Sequence, residues 1–204
     1  MKKYLPLIIS LLLFGSVILF LIVFSLGQTN GHFLYTLDDP YIHMAIAKNF
    51  VTSGTWGVTQ YEFSSCSSSP LWTFLISFFY FIFGTKIIIP FILNILFASL
   101  TAYVVFKFIG KYTEDILLQT IIVLSVLFFG PFVSVVFTGL EHSMYTFFIV
   151  LIIYYIFEIF DEQRNKKEIY TLFILLSLLT LSRYEGMFVA AALFLIFLYN
   201  PVSY

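Results

Sequence analysis

Pro70-Leu71-Trp72-Thr73-Phe74-Leu75-Ile76-Ser77-Phe78-Phe79-Tyr80-Phe81-Ile82-Phe83 is the segment on which the topology of this chain turns. It is apolar enough for a membrane, yet its fourteen residues, one of them proline, fall short of the roughly 20 that a helix needs to cross the hydrocarbon core. Other apolar stretches run from Leu5 to Leu26, Ile87 to Phe106, Ile116 to Thr138, Met144 to Phe157, Ile169 to Ser182 and Met187 to Tyr199. If 70–83 crosses, the loop with Lys107 and Lys111 and the loop with Arg164, Lys166 and Lys167 fall outside, against the tendency of Lys and Arg to stay cytoplasmic. If it lies along or dips into the outer face, both loops join Lys2 and Lys3 on the cytoplasmic side. The second arrangement is preferred. It predicts an all-α integral membrane protein with about six crossings plus one short re-entrant or interfacial helix. The last two crossings are short enough to tilt or to end below the surface. Asp38/Asp39, Glu141/His142 and Arg183/Glu185 then share the external side.

Composition agrees with a membrane bundle. The 204 residues are 61% hydrophobic and only 10% charged, with 27 Phe and 14 Tyr, and long apolar runs of this kind read as spans. Lys2 and Lys3 followed by an apolar run look at first like a secretory signal. A signal's apolar region is about 7–15 residues and ends at a small-residue cleavage site, whereas this run continues to Gly27 with no A-x-A pattern. It reads as an uncleaved first helix, cytoplasmic end first. A net charge of −1 and the absence of a basic cluster beyond Arg164 to Lys167 argue against nucleic acid as a partner. The single cysteine, Cys66, cannot close an intrachain disulfide, and His32, His43 and His142 are too scattered for a zinc-type ligand set. No metal site follows from spacing.

Charges are so scarce that each one near a span end is informative, because an unpaired ionisable group in the membrane costs several kcal/mol. In the first external loop, residues 28–69, Asp39-Pro40 followed by Tyr41, Ile42, Ala45, Ile46, Phe50 and Val51 at helical spacing, then Gly54, predicts an N-capped amphipathic helix in the interface. Capping alone would account for Asp39. Asp38 is harder to explain that way, since one helix start needs one cap and a second carboxylate adds repulsion. Ser64 to Ser69, broken only by Cys66, reads as a flexible polar linker. Glu141-His142 follows Phe137-Thr138-Gly139-Leu140 where a helix carrying Gly130-Pro131 loosens or ends, and a wet turn between spans is the plain alternative to a site. Arg183-Tyr184-Glu185-Gly186 lies between two half-length apolar segments. Its arginine either pairs with its own glutamate or holds an anionic ligand, for which the guanidinium fork suits phosphate.

Several stretches together resemble a family. Leu37-Asp38-Asp39-Pro40-Tyr41-Ile42, Ala47-Lys48-Asn49, Ser53-Gly54, Ser68-Ser69-Pro70-Leu71-Trp72, Thr138-Gly139-Leu140-Glu141 and Ser182-Arg183-Tyr184-Glu185-Gly186 are similar in order and spacing to GT-C membrane glycosyltransferases. The nearest pattern is the branch with a D-D-A-Y-I start, a T-S-P-L-W segment, a T-G-L-E turn and an R-P-E-G turn, as in mycobacterial arabinofuranosyltransferases and related bacterial sugar transferases. Pro40, Ser68 and Tyr184 depart from the usual Ala, Thr and Pro, and none of these changes removes an ionisable group.

The resemblance implies a GT-C-like bundle in a bacterial inner membrane with its active site on the external face. A carboxylate of the first external loop would act as general base on an acceptor hydroxyl of a glycan, lipid or protein. That hydroxyl would attack the anomeric carbon of a polyprenyl-phosphate-linked sugar, with inversion. By likeness to the acidic pair of protein mannosyltransferases, Asp38 is the first choice for the base, and Asp39 would bind acceptor or hold a divalent cation. Arg183 would meet the lipid phosphate. Glu141, His142 and Glu185 would line the site, binding sugar hydroxyls or orienting the arginine, and His43 and Lys48 join the substrate-binding set. Family members are longer, with further spans and often an external carboxy-terminal domain, so residues 1–204 read as one module resembling an amino-terminal portion. The alternative is a non-catalytic membrane subunit or an inactive fragment. A transporter predicts mid-span charges and internal repeats, and the sequence has neither.

Overall fold

The computed structural model describes residues 2–129, 131–161 and 166–199; Gly130 and Arg164, both used above, lie outside the described residues. Among those described there are nine α-helices and no strand. They are α1 (Leu5–Gln28), α2 (Asp39–Ser53), α3 (Pro70–Phe83), α4 (Ile89–Ile109), α5 (Ile116–Phe129), α6 (Phe132–Val136), α7 (His142–Asp161), α8 (Lys166–Ser182) and α9 (Gly186–Tyr199). Three segments, Leu5–Gln28, Ile89–Ile109 and His142–Ile159, are long and apolar enough to cross a membrane; the apolar helices α3, α5, α8 and α9 are shorter.

Local chemistry explains where the helices start and stop. α1 tolerates Pro6 because a proline in the first turn lacks only an N–H that would be unpaired anyway. Ser10 turns its hydroxyl back onto the Pro6 carbonyl at 2.8 Å, which lets a polar side chain lie in an apolar helix. The stretch from Ile116 to Thr138, read above as one span, is two helices. α5 stops at Phe129 and α6 starts after Pro131, since proline has no N–H for the preceding turn and its ring clashes with that turn's carbonyl. α3 is capped at both ends, by the Ser69 hydroxyl accepting from Trp72 N–H and by Gly84 at φ +79°.

Side-chain contacts define two poles. At one, the Tyr4 ring lies 5.9 Å from Phe106, Phe108 lies 5.1 Å from Phe157, and Lys111 is ion-paired with Glu158. At the other, Tyr35 Oη donates to the Ile87 carbonyl (2.8 Å) and accepts from Phe91 N–H (3.0 Å), and Trp72 Nε1 donates to the Gly139 carbonyl (3.1 Å). α1 therefore runs from the first pole to the second, α4 returns, α5 and α6 go up again, α7 returns, and α8 climbs to the turn from which α9 starts. α3 is the exception. Its first turn is tied to Gly139, and only residues 84–88 separate its end from α4, whose start Tyr35 holds at the same pole.

α4 is the axis of the bundle, with over half of its apolar stretch buried against less than a third for α1 and α7. Ala98, Thr101 and Ala102 are fully buried on it, small residues that let helix backbones approach closely where the hydrophobic effect cannot drive helices together. Phe97 sits at the centre of an aromatic group with Trp72, Phe147 and Phe148. Outward faces carry Leu12, Phe20, Phe24, Phe81, Leu117 and Phe173, a surface that suits lipid and would be a liability in water.

Candidate functional site

The site is built from two turns and a helix at the second pole. The first is the Thr138–Glu141 turn. Gly139 adopts φ +72°, and a Cβ there would come within 2.6 Å of the Tyr35 ring, so both the left-handed backbone and the close ring demand glycine. Thr138 Oγ1 donates to the Val135 carbonyl and accepts from Leu140 N–H. So fixed, the chain sets Glu141 immediately before α7 with its carbonyl accepting from Tyr145 N–H at 2.9 Å. Its side chain points inward: Glu141 is only 1% exposed.

The second turn joins α8 to α9. Ser182 Oγ donates to the Leu179 carbonyl, and Gly186 N–H closes onto the Arg183 carbonyl at 2.9 Å. A Cβ at Gly186 would meet the Leu179 backbone at 2.8 Å, so only glycine lets the chain turn this tightly against α8. Arg183 is thereby aimed at Glu141. Its Nη1 donates to Glu141 Oε1 (2.9 Å) and lies 3.3 Å from His142 Nδ1, while Nη2 and Nε donate to the two oxygens of Glu185 (2.7 and 3.3 Å). The self-paired bridge weighed above is present, and a second carboxylate extends it. Hydrogen bonding to Arg183 holds the Glu185 carboxyl below the usual carboxylate range.

The third contribution comes from α2, which ends at Gly54 in the left-handed conformation as its sequence predicts. The buried face differs from expectation. Pro40, His43, Met44, Ile46 and Ala47 face inward while Tyr41 and Phe50 are exposed, because the face follows His43's polar partners rather than the largest apolar residues. His43 is 2% exposed. Its Nδ1 lies 2.8 Å from Thr73 Oγ1 and 3.4 Å from Ser67 Oγ, these two hydroxyls are 2.8 Å apart, and its Nε2 faces Glu141 Oε2 at 3.7 Å. In the tautomer whose Nδ1 accepts from Thr73, the ring proton is on Nε2 and directed toward Glu141. Burial pushes the imidazole below its ordinary range, and Glu141 and Asp39 only partly oppose this.

The aspartates need a correction of position. Asp39 is the first residue of α2 and Asp38 stands at the N-cap, yet Asp38 has helical backbone angles and its side chain makes no capping hydrogen bond. Neither carboxylate is used to start the helix, and both are exposed. Asp39 lies one turn from His43 on the same face. Lys48, also exposed, is five residues beyond His43 and so about 140° round the helix, away from the His43–Glu141 contact. Ser64 to Ser69 is not a slack linker: Ser67 and Ser69 are buried and bonded, although Cys66 is exposed. Thr73 was invisible in sequence because it sits inside an apolar run, and only the fold shows that it faces His43.

The structure thus brings His43, Glu141, His142, Arg183 and Glu185 into one chain of contacts, with Asp38 and Asp39 at the adjoining helix start. No group of three or more His, Cys, Asp or Glu able to hold a metal lies together among the described residues. Two adjacent aspartates alone do not make a cation cage, so the divalent cation expected at Asp39 does not fit the residues present there. Comparison with protein-family models, with curated proteins and with solved structures finds no match to this chain.

Proposed function

We propose that this pole is the active centre of a membrane glycosyltransferase of the GT-C kind, transferring a sugar from a polyprenyl-phosphate donor to an acceptor hydroxyl on the external side of the membrane. The observation that carries the reading is the meeting of Glu141, His142, Arg183 and Glu185 with His43, at the same pole as the Asp38-Asp39 helix start. Asp38, Asp39, Glu141, Arg183 and Glu185 come from the segments whose order resembles that family, and His43 and His142 directly follow two of them. The α3 helix, with both ends at this pole, supports a six-crossing arrangement in which the basic pole is cytoplasmic.

In the proposed step Asp38 accepts the proton of the acceptor hydroxyl. The hydroxyl oxygen bonds to the anomeric carbon from the face opposite the phosphate, the carbon–oxygen bond to phosphate breaks with its electron pair leaving on the phosphate, and the configuration inverts. Arg183 is the group suited to that phosphate. To bind it, the guanidinium must release Glu185, whose side chain is 54% exposed, rather than Glu141, whose side chain is 2% exposed. Glu141 then keeps the arginine in place and does not touch sugar. His142, half-buried, and Glu185 remain available to sugar hydroxyls.

The test is transfer from polyprenyl-phosphate-linked pentoses and hexoses by the chain in proteoliposomes. Asp38→Asn is expected to lower the rate by about 10²- to 10⁴-fold, the contribution of a general base, with the circular dichroism unchanged. Near-normal transfer by that variant rejects the assignment. One observation favours a second reading: Arg183 is already held by two carboxylates and His142, as in a structural clasp of a non-catalytic membrane subunit. On that reading wild type and Asp38→Asn are equally without transfer.

A further inference from the structure

The pole opposite the site carries a cavity of about 480 Å³ between the start of α1, the end of α4, the turn into α5 and the lower part of α7. That volume lies in the ordinary range for ligand sites, about 300–1,000 Å³. Lys3, Lys107 and Lys111 line it, against a single lining carboxylate, Glu114, and its apolar wall includes Tyr154 and the exposed Ile116. Lys111 is paired with Glu158 and lies 5.4 Å from the centre of the Tyr154 ring. Lys3 and Lys107 have no ion-pair partner among the described residues.

Converging ammonium groups raise each other's energy unless an anion joins them, and a cleft with one sign of charge concentrates that anion. The apolar wall asks for something more than an inorganic ion. Place in the fold completes the description: this pole is where α1, long enough to cross a membrane, begins and where α4 ends, which is headgroup level for a bundle embedded by those helices. Basic pockets between membrane helices at that level suit phospholipid headgroups.

We propose that this cavity binds the phosphate of an anionic phospholipid from the leaflet at the basic pole, with Lys3 and Lys107 as the binding cations and Ile116 and Tyr154 against the upper part of its acyl chain. The site is separate from the chemistry proposed at the other pole and depends only on the protein being embedded in a bilayer.

The experiment is lipid retention by the full chain, released from nanodiscs of phosphatidylcholine and phosphatidylglycerol and read by native mass spectrometry. Wild type is expected to retain phosphatidylglycerol preferentially. Lys3→Gln and Lys107→Gln should each lower that preference about fivefold, the effect of one lysine beside an anionic membrane surface, while Lys107→Arg keeps it. Glu114→Gln should raise it, an increase that misfolding cannot produce. Lys86→Gln, an exposed lysine near the other pole, is expected to match wild type. Full retention by both lysine variants, an equal loss with Lys86→Gln, or no gain with Glu114→Gln overturns the site. Complete competition by inorganic phosphate at equal concentration overturns the lipid as its occupant.

Discussion

At the scale of single residues, His43 is the unusual group of the site. It is buried in contact with two hydroxyls and one carboxylate, and its folded-state pKa lies below its unfolded value. The native chain therefore binds fewer protons here than the unfolded chain at acidic pH, so the stability this residue allows is present above the unfolded value, about 6.5, and is lost as pH falls below it. The groups facing the ring are Glu141, Asp39, Thr73 and Ser67, and the two carboxylates act against the shift without reversing it. Unfolding midpoints in neutral detergent are expected to drop between pH 6.5 and 5, by at most about 1.4 kcal/mol per pH unit for one proton. His43→Asn should flatten that limb while leaving the loss at lower pH, where Glu185 and other carboxylates protonate. An identical slope in the variant would place the acid sensitivity elsewhere. Much of this neighbourhood was legible from sequence because charge is so rare: Glu141, Arg183 and Glu185 stand out against apolar surroundings. The partnership of His43 with Thr73 was not, since a threonine within fourteen mostly apolar residues carries no sign of which way it faces.

At the scale of helices, length and punctuation told most of the story. The fourteen residues of α3 predict a helix that does not cross, and contacts tie its first turn and the start of the following helix to one pole. Hydropathy alone makes Ile116 to Thr138 one span despite its Gly130-Pro131 pair, because hydropathy is blind to a missing N–H. α4 contains a further feature that hydropathy averages away. Asn94 is fully buried, and neither side-chain oxygen nor nitrogen has a hydrogen-bond partner. Such atoms cost the desolvation of the group, whereas an apolar residue of similar shape has no such cost. Asn94→Leu is expected to raise stability by about 1 kcal/mol in thermal or denaturant unfolding in detergent. A loss of similar size would mean that Asn94 holds a bond in the membrane-embedded protein, and would make it a candidate for the polar set around Glu141.

At the scale of the whole molecule, the bundle has two poles of opposite character. Lys3, Lys107 and Lys111 gather at one, and Asp38, Asp39, Glu141, Glu185 and Arg183 at the other. Bilayers enforce such a division, because charges are tolerated at span ends and costly between them. If α3 lies at the outer face, the two poles are the two sides of the membrane; if it crosses, every element after it is inverted. Cys66, the only cysteine of the chain, is exposed one residue before Ser67 at the site pole. Tyr184 is exposed in the turn beside Arg183, and Tyr112 is exposed just after α4 at the basic pole. Membrane-impermeant maleimide applied to intact cells is expected to label Cys66, and to label Tyr184→Cys in a Cys66→Ser background. Tyr112→Cys in the same background should react only after permeabilisation. Labelling of both Cys66 and Tyr112→Cys from outside, with Tyr184→Cys protected, would mean that Pro70–Phe83 crosses, and would separate Arg183 from Asp38 by the thickness of the bilayer. That outcome would contradict the contacts that join the site, Arg183 with Glu141 and Glu141 with the His43 of the helix that Asp38 begins, and would overturn the shared site with them. The labelling pattern thus tests the topology and the candidate site together, and it needs no knowledge of which sugar, if any, the protein transfers.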